Sequence, residues 1–152
     1  TQLWHHIYSP DGERIAAIVA PRFGNWTVAV DDKPWKHDFR ELVTDAVFGP
    51  DGNRVACIGK ENGKWTVAVD DYPWDRNADM AWPPVFSPDG ATVAAKVEIN
   101  GKYAVAVDGR MSQHTFDWLW NPAFSPDGGK IRMVGMIDGK VRRQVVELKE
   151  LK

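Results

Sequence analysis

Cysteine is nearly absent from this sequence, which contains only Cys57 among 152 residues. A single cysteine excludes an internal disulfide and any zinc or iron–sulfur site that needs several cysteines. No apolar run approaches the roughly 20 residues that a membrane-spanning helix requires, so we expect no direct membrane insertion. The formal net charge is only -2 and like charges form no long run, so nothing indicates binding to nucleic acid.

No segment shows sustained helical periodicity, and we expect no secretory signal. The chain begins with Thr rather than Met, so we expect a processed chain or part of a longer one. Apolar residues make up 43% and charged residues 26% of the sequence, which is ordinary for one soluble globular domain. The unusual feature of the composition is tryptophan, which occurs eight times.

A five-residue phrase divides the chain into four similar parts. Phe-Ser-Pro-Asp-Gly occurs at 86–90 and 124–128, with near copies at 8–12 and 48–52, so its aspartate recurs at intervals of 40, 38 and 38 residues. Proline presets φ, aspartate bonds back to the backbone and glycine adopts positive φ, which together specify a reverse turn. We therefore interpret the phrase as a structural turn and not as a repeated catalytic or metal-binding group. The predicted turn residues are Asp11, Gly12, Asp51, Gly52, Asp89, Gly90, Asp127 and Gly128.

Strand-like segments recur in step with this turn. An apolar strand follows each turn, a Gly-containing hairpin turn comes next, and a return strand such as Trp-Thr-Val-Ala-Val at 26–30 and 65–69 completes the unit. Three or four antiparallel strands in about 40 residues are typical of a propeller blade. We therefore predict an all-β fold, a β-propeller of four blades that forms a complete or a partial ring. The prediction is a single domain over 1–152, with repeats at about 1–40, 41–78, 79–116 and 117–152.

The fourth repeat departs from the others in its return strand. Arg143 occupies the position that Val28, Val67 and Val105 hold in the first three repeats. A charged side chain there predicts a terminal, uncovered blade or a contact with another molecule. Self-association through the terminal blades is an alternative that the sequence leaves open.

The aligned phrases resemble the Pro-Asp-rich repeats of WD40-like and TolB-like propellers over essentially the whole chain. The combination of "HHIYSPDGERIAAIVA", "NWTVAVDDKPW" and "GKWTVAVDDYPW" is most similar to the tryptophan-rich D subunit of the transmembrane Tmc redox complex of sulfate-reducing bacteria. The third repeat departs from this pattern, because 108–112 contains no tryptophan. The resemblance implies a cytoplasmic accessory subunit, peripheral to the inner membrane, that carries no cofactor. Its implied partners are the protein subunits of a membrane complex for electron transfer.

Tryptophans outside the predicted strands are the candidates for partner binding, because exposed aromatic side chains often dominate interfaces. Trp35 and Trp74 each follow a proline, whereas the others lie beside proline-rich linkers. Packing between blades is an alternative for all of them. A second hypothesis is a small-ligand or glycan-binding propeller, in which the tryptophans stack on the ligand. The partner-binding candidates are Trp35, Trp74, Trp82, Trp118 and Trp120.

The remaining reactive residues do not form a convincing active site. Adjacent residues on a strand face opposite sides, so the histidine pair makes a poor ligand pair, and paired aspartates after a strand are expected to cap turns. The lone cysteine lies in an apolar strand, which predicts a core position. The sequence therefore predicts no catalytic residue, no metal site and no enzymatic activity, and favours a non-catalytic protein-interaction scaffold. The residues considered were His5 and His6, His37 and His114, Asp31 and Asp32, Asp70 and Asp71, and Cys57.

Overall fold

The computed structural model describes residues 2–151 and contains four antiparallel β-sheets, which follow one another along the chain as blades 1 to 4. Thr1 and Lys152, the outer bounds of the predicted repeats, lie outside the described residues. Blade 1 contains β1 (Gln2–Tyr8), β2 (Ile15–Arg22), β3 (Asn25–Val30) and β4 (Lys33–Pro34). Blade 2 contains β5 (Leu42–Phe48), β6 (Val55–Glu61), β7 (Lys64–Val69) and β8 (Tyr72–Pro73).

Blades 3 and 4 have an interrupted first strand. Blade 3 contains β9 (Met80–Ala81), β10 (Val85–Phe86), β11 (Val93–Ile99), β12 (Lys102–Val107) and β13 (Arg110–Met111). Blade 4 contains β14 (Trp118–Leu119), β15 (Ala123–Phe124), β16 (Lys130–Ile137) and β17 (Lys140–Glu147), and a 3-10 turn at Leu148–Glu150 follows it. The prediction of an all-β fold is confirmed.

Prolines explain the interruptions. Pro83 and Pro84 separate β9 from β10, and Pro122 lies between β14 and β15. Proline has no N–H to donate to a sheet ladder, so it is confined to breaks and edges. Blade 2 has no proline there and keeps one strand, but its pairing with β6 shifts register around Asp45, whose φ is 53°. The first strands of blades 2 to 4 are therefore irregular at the same place, just before the segment that leads into the Pro-Asp-Gly turn.

Two-residue hairpin turns join the second and third strands of blades 2 to 4. Asn62 and Gly63 both have positive φ, at 53° and 73°, as do the equivalent pairs in blades 3 and 4. Positive φ at both central residues is the geometry of a type I′ turn, whose twist matches that of the flanking strands. Asn-Gly and Asp-Gly are the dipeptides that adopt it with least strain, which is why these hairpins can be read directly from the sequence.

The core lies between the blades rather than at one centre. Residues 55–59 and 93–97, in the middle strands of blades 2 and 3, are buried on both faces because each sheet packs between two others. Their alanines allow close approach of the neighbouring sheets. Three apolar clusters fill the three junctions; representative members are Ile18 and Val43, Ile58 and Val97, and Val105 and Met133.

The two terminal blades each present an uncovered surface. In blade 4, Arg143 is exposed, whereas its equivalents Val28 and Val105 are each 0% exposed. In blade 1, the first strand exposes Leu3 and Trp4. No helix within residues 2–151 has the length and apolar character that crossing a membrane requires.

Candidate functional site

A groove of about 560 Å³ crosses the first strands of blades 2, 3 and 4. We call it the first-strand groove. Each blade contributes the same two consecutive positions, the last of which is the phenylalanine that precedes the turn phrase Ser/Gly-Pro-Asp-Gly. Because the phrase repeats in register, its aromatic side chains form a row across the blades. The six residues at these positions are half-buried: Val47, Phe48, Val85, Phe86, Ala123 and Phe124.

Tyr8 continues this row in blade 1. It occupies the position of Phe48, Phe86 and Phe124, and 62% of its surface is exposed. The guanidinium of Arg14 lies 5.9 Å from the centre of the Phe48 ring. Tyr8 therefore occupies the equivalent position in blade 1, but the groove itself is lined by blades 2, 3 and 4.

The turn phrase itself forms a compact hydrogen-bonded unit at the rim of the groove. Asp89 accepts the Ser87 hydroxyl at 2.5 Å and the Ala91 amide at 3.0 Å, and Gly90 has a φ of 73°. In blade 2, where glycine replaces the serine, Asp51 instead accepts the amide and the side chain of Asn53, at 3.0 and 2.9 Å. All four turn glycines have positive φ.

These hydrogen bonds keep the turn carboxylates ionised. The serine hydroxyl, followed by a backbone amide, lowers the pKa of Asp11, Asp89 and Asp127. In Asp51 the amide of Asn53, followed by its side chain, lowers the carboxyl pKa in the same way. Within residues 2–151, no three residues of the types that bind metals lie close enough together to hold an ion. The rim of the groove is therefore built from turns with ionised carboxylates, and the guanidiniums of Arg14 and Arg54 lie over the rings of Phe48 and Phe86.

Arginine side chains hold successive turns together across the blade junctions. Arg54 pairs with Asp70 at 2.9 Å within blade 2. Its other end donates to the carbonyls of Gly90 and Ala91 in blade 3, at 3.2 and 2.7 Å. Arg14 makes the equivalent contacts from blade 1 to blade 2. Thr92 occupies this position in blade 3, so the third junction lacks the arginine link.

The paired aspartates have structural roles. Asp31 and Asp70 accept the backbone amides of Ile15 and Val55, at 3.1 and 2.9 Å, which confirms the expected role as caps. Asp71 instead accepts two amides from the linker of blade 1, those of Lys36 and His37, at 3.0 and 2.9 Å. It therefore joins two blades, a role that the sequence alone did not indicate.

A buried lysine surrounded by aromatic rings lies between blades 3 and 4. Lys96 is only 5% exposed, and its ammonium nitrogen lies 4.2 Å from the ring centre of Trp82, 5.0 Å from Trp118 and 5.7 Å from Tyr103. The same nitrogen donates to the carbonyl of Leu119 at 3.0 Å. We call the three rings the aromatic box. Burial lowers the pKa of Lys96, while the ring faces favour its charged form.

Sequence reasoning missed this box. Its signal is the replacement of Ile18 and Ile58 by Lys96 at the same position of the repeat. A charged residue in the middle of a strand that is otherwise buried on both faces requires a compensating environment. The box supplies that environment at the junction that lacks the arginine link.

Comparison with known proteins identifies the architecture. No family model and no curated protein matches the chain. TolB from Acinetobacter baumannii has a similar structure, with a TM-score of 0.56 and 15% identity over 99% of this chain and 42% of that protein. A provisional TolB from Agrobacterium tumefaciens gives 0.52 and 18%, over 97% of this chain and 62% of that one. The fold is that of a TolB-like propeller.

Hydrazine synthase from Kuenenia stuttgartiensis gives a TM-score of 0.51 and 16% identity, over 98% of this chain and 52% of that protein. The chain therefore spans less than two thirds of the length of each of these three proteins. At such low identities the similarity concerns the fold alone. It confirms the predicted propeller architecture and is compatible with a partial ring, whereas the resemblance to the Tmc subunit stays a prediction.

The five candidate tryptophans occupy different environments in this propeller. Trp35 and Trp74 are half-buried and pack against the apolar clusters of the first and second junctions. Trp82 and Trp118 belong to the aromatic box, although 44% of Trp118 is exposed. Trp120 is 47% exposed. The structure does not bring the five together on one surface, and their role in partner binding stays a prediction.

The missing tryptophan motif of the third repeat has a packing counterpart. Trp74 lies against Gly109, where an added Cβ would be 3.4 Å from the indole ring. Blades 1 and 2 have Asp32 and Asp71 at the position of Gly109. The tryptophan of the preceding blade therefore packs against the backbone at Gly109, at a distance where a Cβ would still make an ordinary van der Waals contact.

The cysteine and histidines lie apart from the groove. Cys57 is 0% exposed in the first junction, as predicted, and burial raises the pKa of its thiol. His5 and His6 pair with successive residues of β2 and so face opposite sides of the sheet. The ring of His37 packs edge-on against Phe39, with ring centres 4.6 Å apart.

Proposed function

We propose that this propeller is a non-catalytic protein-interaction scaffold and that its docking surface is the first-strand groove. The observation that carries the proposal is the row of half-buried apolar side chains that three successive blades contribute to one groove. Apolar grooves of this kind bind partner side chains by removing them from water. Hydrogen-bonded turns, the Arg54 link between blades 2 and 3 and the Lys96 contact between blades 3 and 4 hold the blades that form the groove.

We infer the kind of partner from two carboxylates at the rim. Asp51 and Asp89 directly follow two prolines that line the groove, and hydrogen bonds keep both carboxylates ionised by lowering the pKa of each. An apolar segment flanked by lysine or arginine would complement both the groove and its rim.

Substitutions in the groove test this proposal. A tagged chain captures its partner from the native organism's extract, and we expect Phe86→Ser and Phe124→Ser to abolish that capture. Phe23→Ser is the matched control, because Phe23 is 99% exposed in the β2–β3 hairpin and does not line the groove. Thermal unfolding of each variant verifies that it is folded. Retention of the partner by folded groove variants would show that this surface is not the docking site.

The partner is proposed to be a cytoplasmic-side component of a membrane-bound redox complex. The support for this is the resemblance of the tryptophan-containing phrases to the D subunit of the Tmc complex. The tagged chain, expressed in a sulfate-reducing bacterium and solubilised gently, is expected to co-purify with membrane cytochrome and iron–sulfur subunits. A different partner that still depends on Phe86 would refute the redox assignment and leave the scaffold proposal intact.

The alternative of a glycan-binding propeller receives no specific support from the arrangement. Trp35 and Trp74, which would have to stack on a sugar, instead contribute to the apolar clusters between blades. Their faces are therefore partly used by the fold itself. A titration of tryptophan fluorescence with a panel of sugars tests this alternative, and a saturable change would favour it.

A further inference from the structure

The third strand of each of the first three blades is covered along its outer edge. In blade 1, Trp26 and Phe39 exchange two backbone hydrogen bonds, at 2.8 and 2.7 Å, and the amide of Trp35 donates to the carbonyl of Val28 at 2.8 Å. The equivalent groups of blades 2 and 3 make the same three bonds. The linker after each third strand therefore acts as a fourth strand and satisfies the backbone groups of that edge.

The equivalent edge in blade 4 is open. Val141 and Arg143 of β17 hold the positions of Trp26 and Val28. Within residues 2–151, neither has a backbone hydrogen bond on the side away from β16. Residues 148–151, which follow β17, do not double back along it as the equivalent residues do in the other blades. The amide of Leu148 donates instead to the carbonyl of Gly129 within blade 4, and the carbonyl of Leu151 accepts from Arg110 of blade 3.

This open edge is strongly basic. Four exposed cationic side chains lie on or beside it, and none of them has an ion-pair partner among the described residues. The whole chain carries a net charge of -2, so this concentration of positive charge is local. The four residues are Arg132, Lys140, Arg142 and Arg143.

The charges disfavour two of the simplest ways to cover the edge. Antiparallel pairing of two copies through β17 would place arginines and lysines of one chain beside those of the other, which is destabilising. An ordinary blade stacked on the face of blade 4 would bury Arg143, whose equivalents are at most 1% exposed. Burying an unpaired guanidinium is strongly destabilising, because the charge loses its hydration without gaining a partner.

We propose that β17 is a docking edge for an acidic, extended segment of a second protein, which adds to blade 4 alongside β17 as a further strand. The backbone of the segment would bond to the free amide and carbonyl groups of Val141 and Arg143. Its glutamates or aspartates would lie opposite Lys140 and Arg142 on one face of the sheet, and its β-branched residues would cover Val141 and Val145, which are 62% and 42% exposed on the other face. This site is separate from the first-strand groove, and its existence does not depend on that groove's function.

A pair of synthetic peptides tests the proposal on the intact chain. The probe is a fluorescent, end-capped peptide of about eight alternating glutamate and valine residues, a typical strand length. Its control has lysine in place of glutamate. By fluorescence anisotropy at moderate salt, we expect the acidic peptide to bind at least about tenfold more tightly, as a few charge pairs would provide. In hydrogen exchange, bound peptide should protect the amides of Val141 and Arg143.

Two further variants separate strand addition from simple charge attraction. Methylation of alternate backbone nitrogens of the acidic peptide removes its strand hydrogen bonds but keeps its charge, and should abolish binding. The variant Arg142→Glu/Arg143→Glu should lose affinity for the acidic peptide by about tenfold or more and gain it for the lysine peptide. Arg22→Glu/Lys36→Glu, with the same charge change at exposed positions of blade 1, is the matched control and should bind as the unaltered chain does.

Several results would overturn the proposal. Equal binding of the two peptides, or undiminished binding of the N-methylated peptide, would mean that the edge does not select an acidic strand. The absence of any binding at millimolar concentrations of the acidic peptide would likewise show that the edge does not bind an acidic strand. A dimer in analytical ultracentrifugation that dissociates in the Arg142→Glu/Arg143→Glu variant would show that a second copy of the chain covers the edge instead.

Discussion

Residues of complementary size meet at each of the three blade junctions. A Cβ added to Gly59 would lie 2.5 Å from two ring carbons of Phe39, and one added to Gly135 would lie 2.5 Å from the ring of Phe116. At the middle junction, the same two repeat positions hold Ala78 and Val97, which share one apolar cluster. The large member thus comes from the earlier blade at two junctions and from the later blade at the other. The three pairs are Phe39 with Gly59, Ala78 with Val97, and Phe116 with Gly135.

This arrangement predicts that exchanging the pair rescues what each single substitution damages. Phe39 is 1% exposed, so Phe39→Ala should leave a cavity and lower the free energy of unfolding by about 3–5 kcal/mol. Gly59→Val should displace the ring and cost about 1–3 kcal/mol. In the double variant the valine fills space that the ring has left. We therefore expect the free energy of unfolding of the double variant to exceed the value predicted by adding the two single effects by about 2 kcal/mol or more.

Urea unfolding followed by tryptophan fluorescence measures these free energies, because tryptophans lie at all three junctions. The control combines Gly59→Val with Phe116→Ala, two residues from different junctions that are not paired. Its effects should add to within about 0.5 kcal/mol. If the Phe39→Ala/Gly59→Val effects are also additive, then the two residues do not compensate for each other and the pairing rule is wrong.

Three further predictions concern the links between blades. Arg54→Ala should lower the free energy of unfolding by about 1–2 kcal/mol, because it removes an ion pair and two hydrogen bonds to carbonyls. Thr92→Arg should add the arginine link at the third junction and raise the free energy of unfolding by up to about 1 kcal/mol. Urea unfolding measures both effects. Ile58→Lys should cost about 3 kcal/mol or more, since no aromatic box surrounds it, and Lys96→Ile should cost less than half as much in the same assay. The pKa of each turn carboxylate is lowered in the folded chain, so the unfolded chain binds more protons in acid. The free energy of unfolding should therefore be fully developed above about pH 5 and fall as the pH drops below about 4, which a pH series of urea midpoints tests.

The elements that can be predicted from the sequence are those that depend on a few neighbouring residues. The turn at Pro88-Asp89-Gly90 needs only a fixed φ, a side-chain acceptor and a residue tolerant of positive φ. The hairpin at Asn62-Gly63 needs two residues tolerant of positive φ. Their recurrence in register specifies the blades, and the apolar strands between them specify that the blades stack. The all-β propeller architecture follows from these local signals.

The contacts that could not be predicted join residues from different blades. The aromatic box draws its rings from positions 82, 103 and 118, and nothing local to any of them indicates that they meet around Lys96. The sequence alone likewise indicates only that Gly59 weakens its strand. The structure shows that the ring of Phe39 occupies the space where a side chain of residue 59 would lie. The first-strand groove has the same origin, since each blade contributes only one strand end to it.

Departures from the repeat nevertheless mark where this chain is specialised. Thr92 replaces an arginine directly before β11 and Lys96 replaces an isoleucine within β11, so the third junction exchanges one form of cationic link for another. Arg143 replaces a valine where the next blade would pack. A position that holds the same residue type in every repeat makes the same contact at every junction. A position where one repeat has a different residue can make a contact that occurs only once in the chain. Comparison of equivalent positions in the four repeats therefore identifies Lys96 and Arg143 as exceptions. The structure shows that their environments differ, because aromatic rings enclose Lys96 whereas Arg143 is exposed.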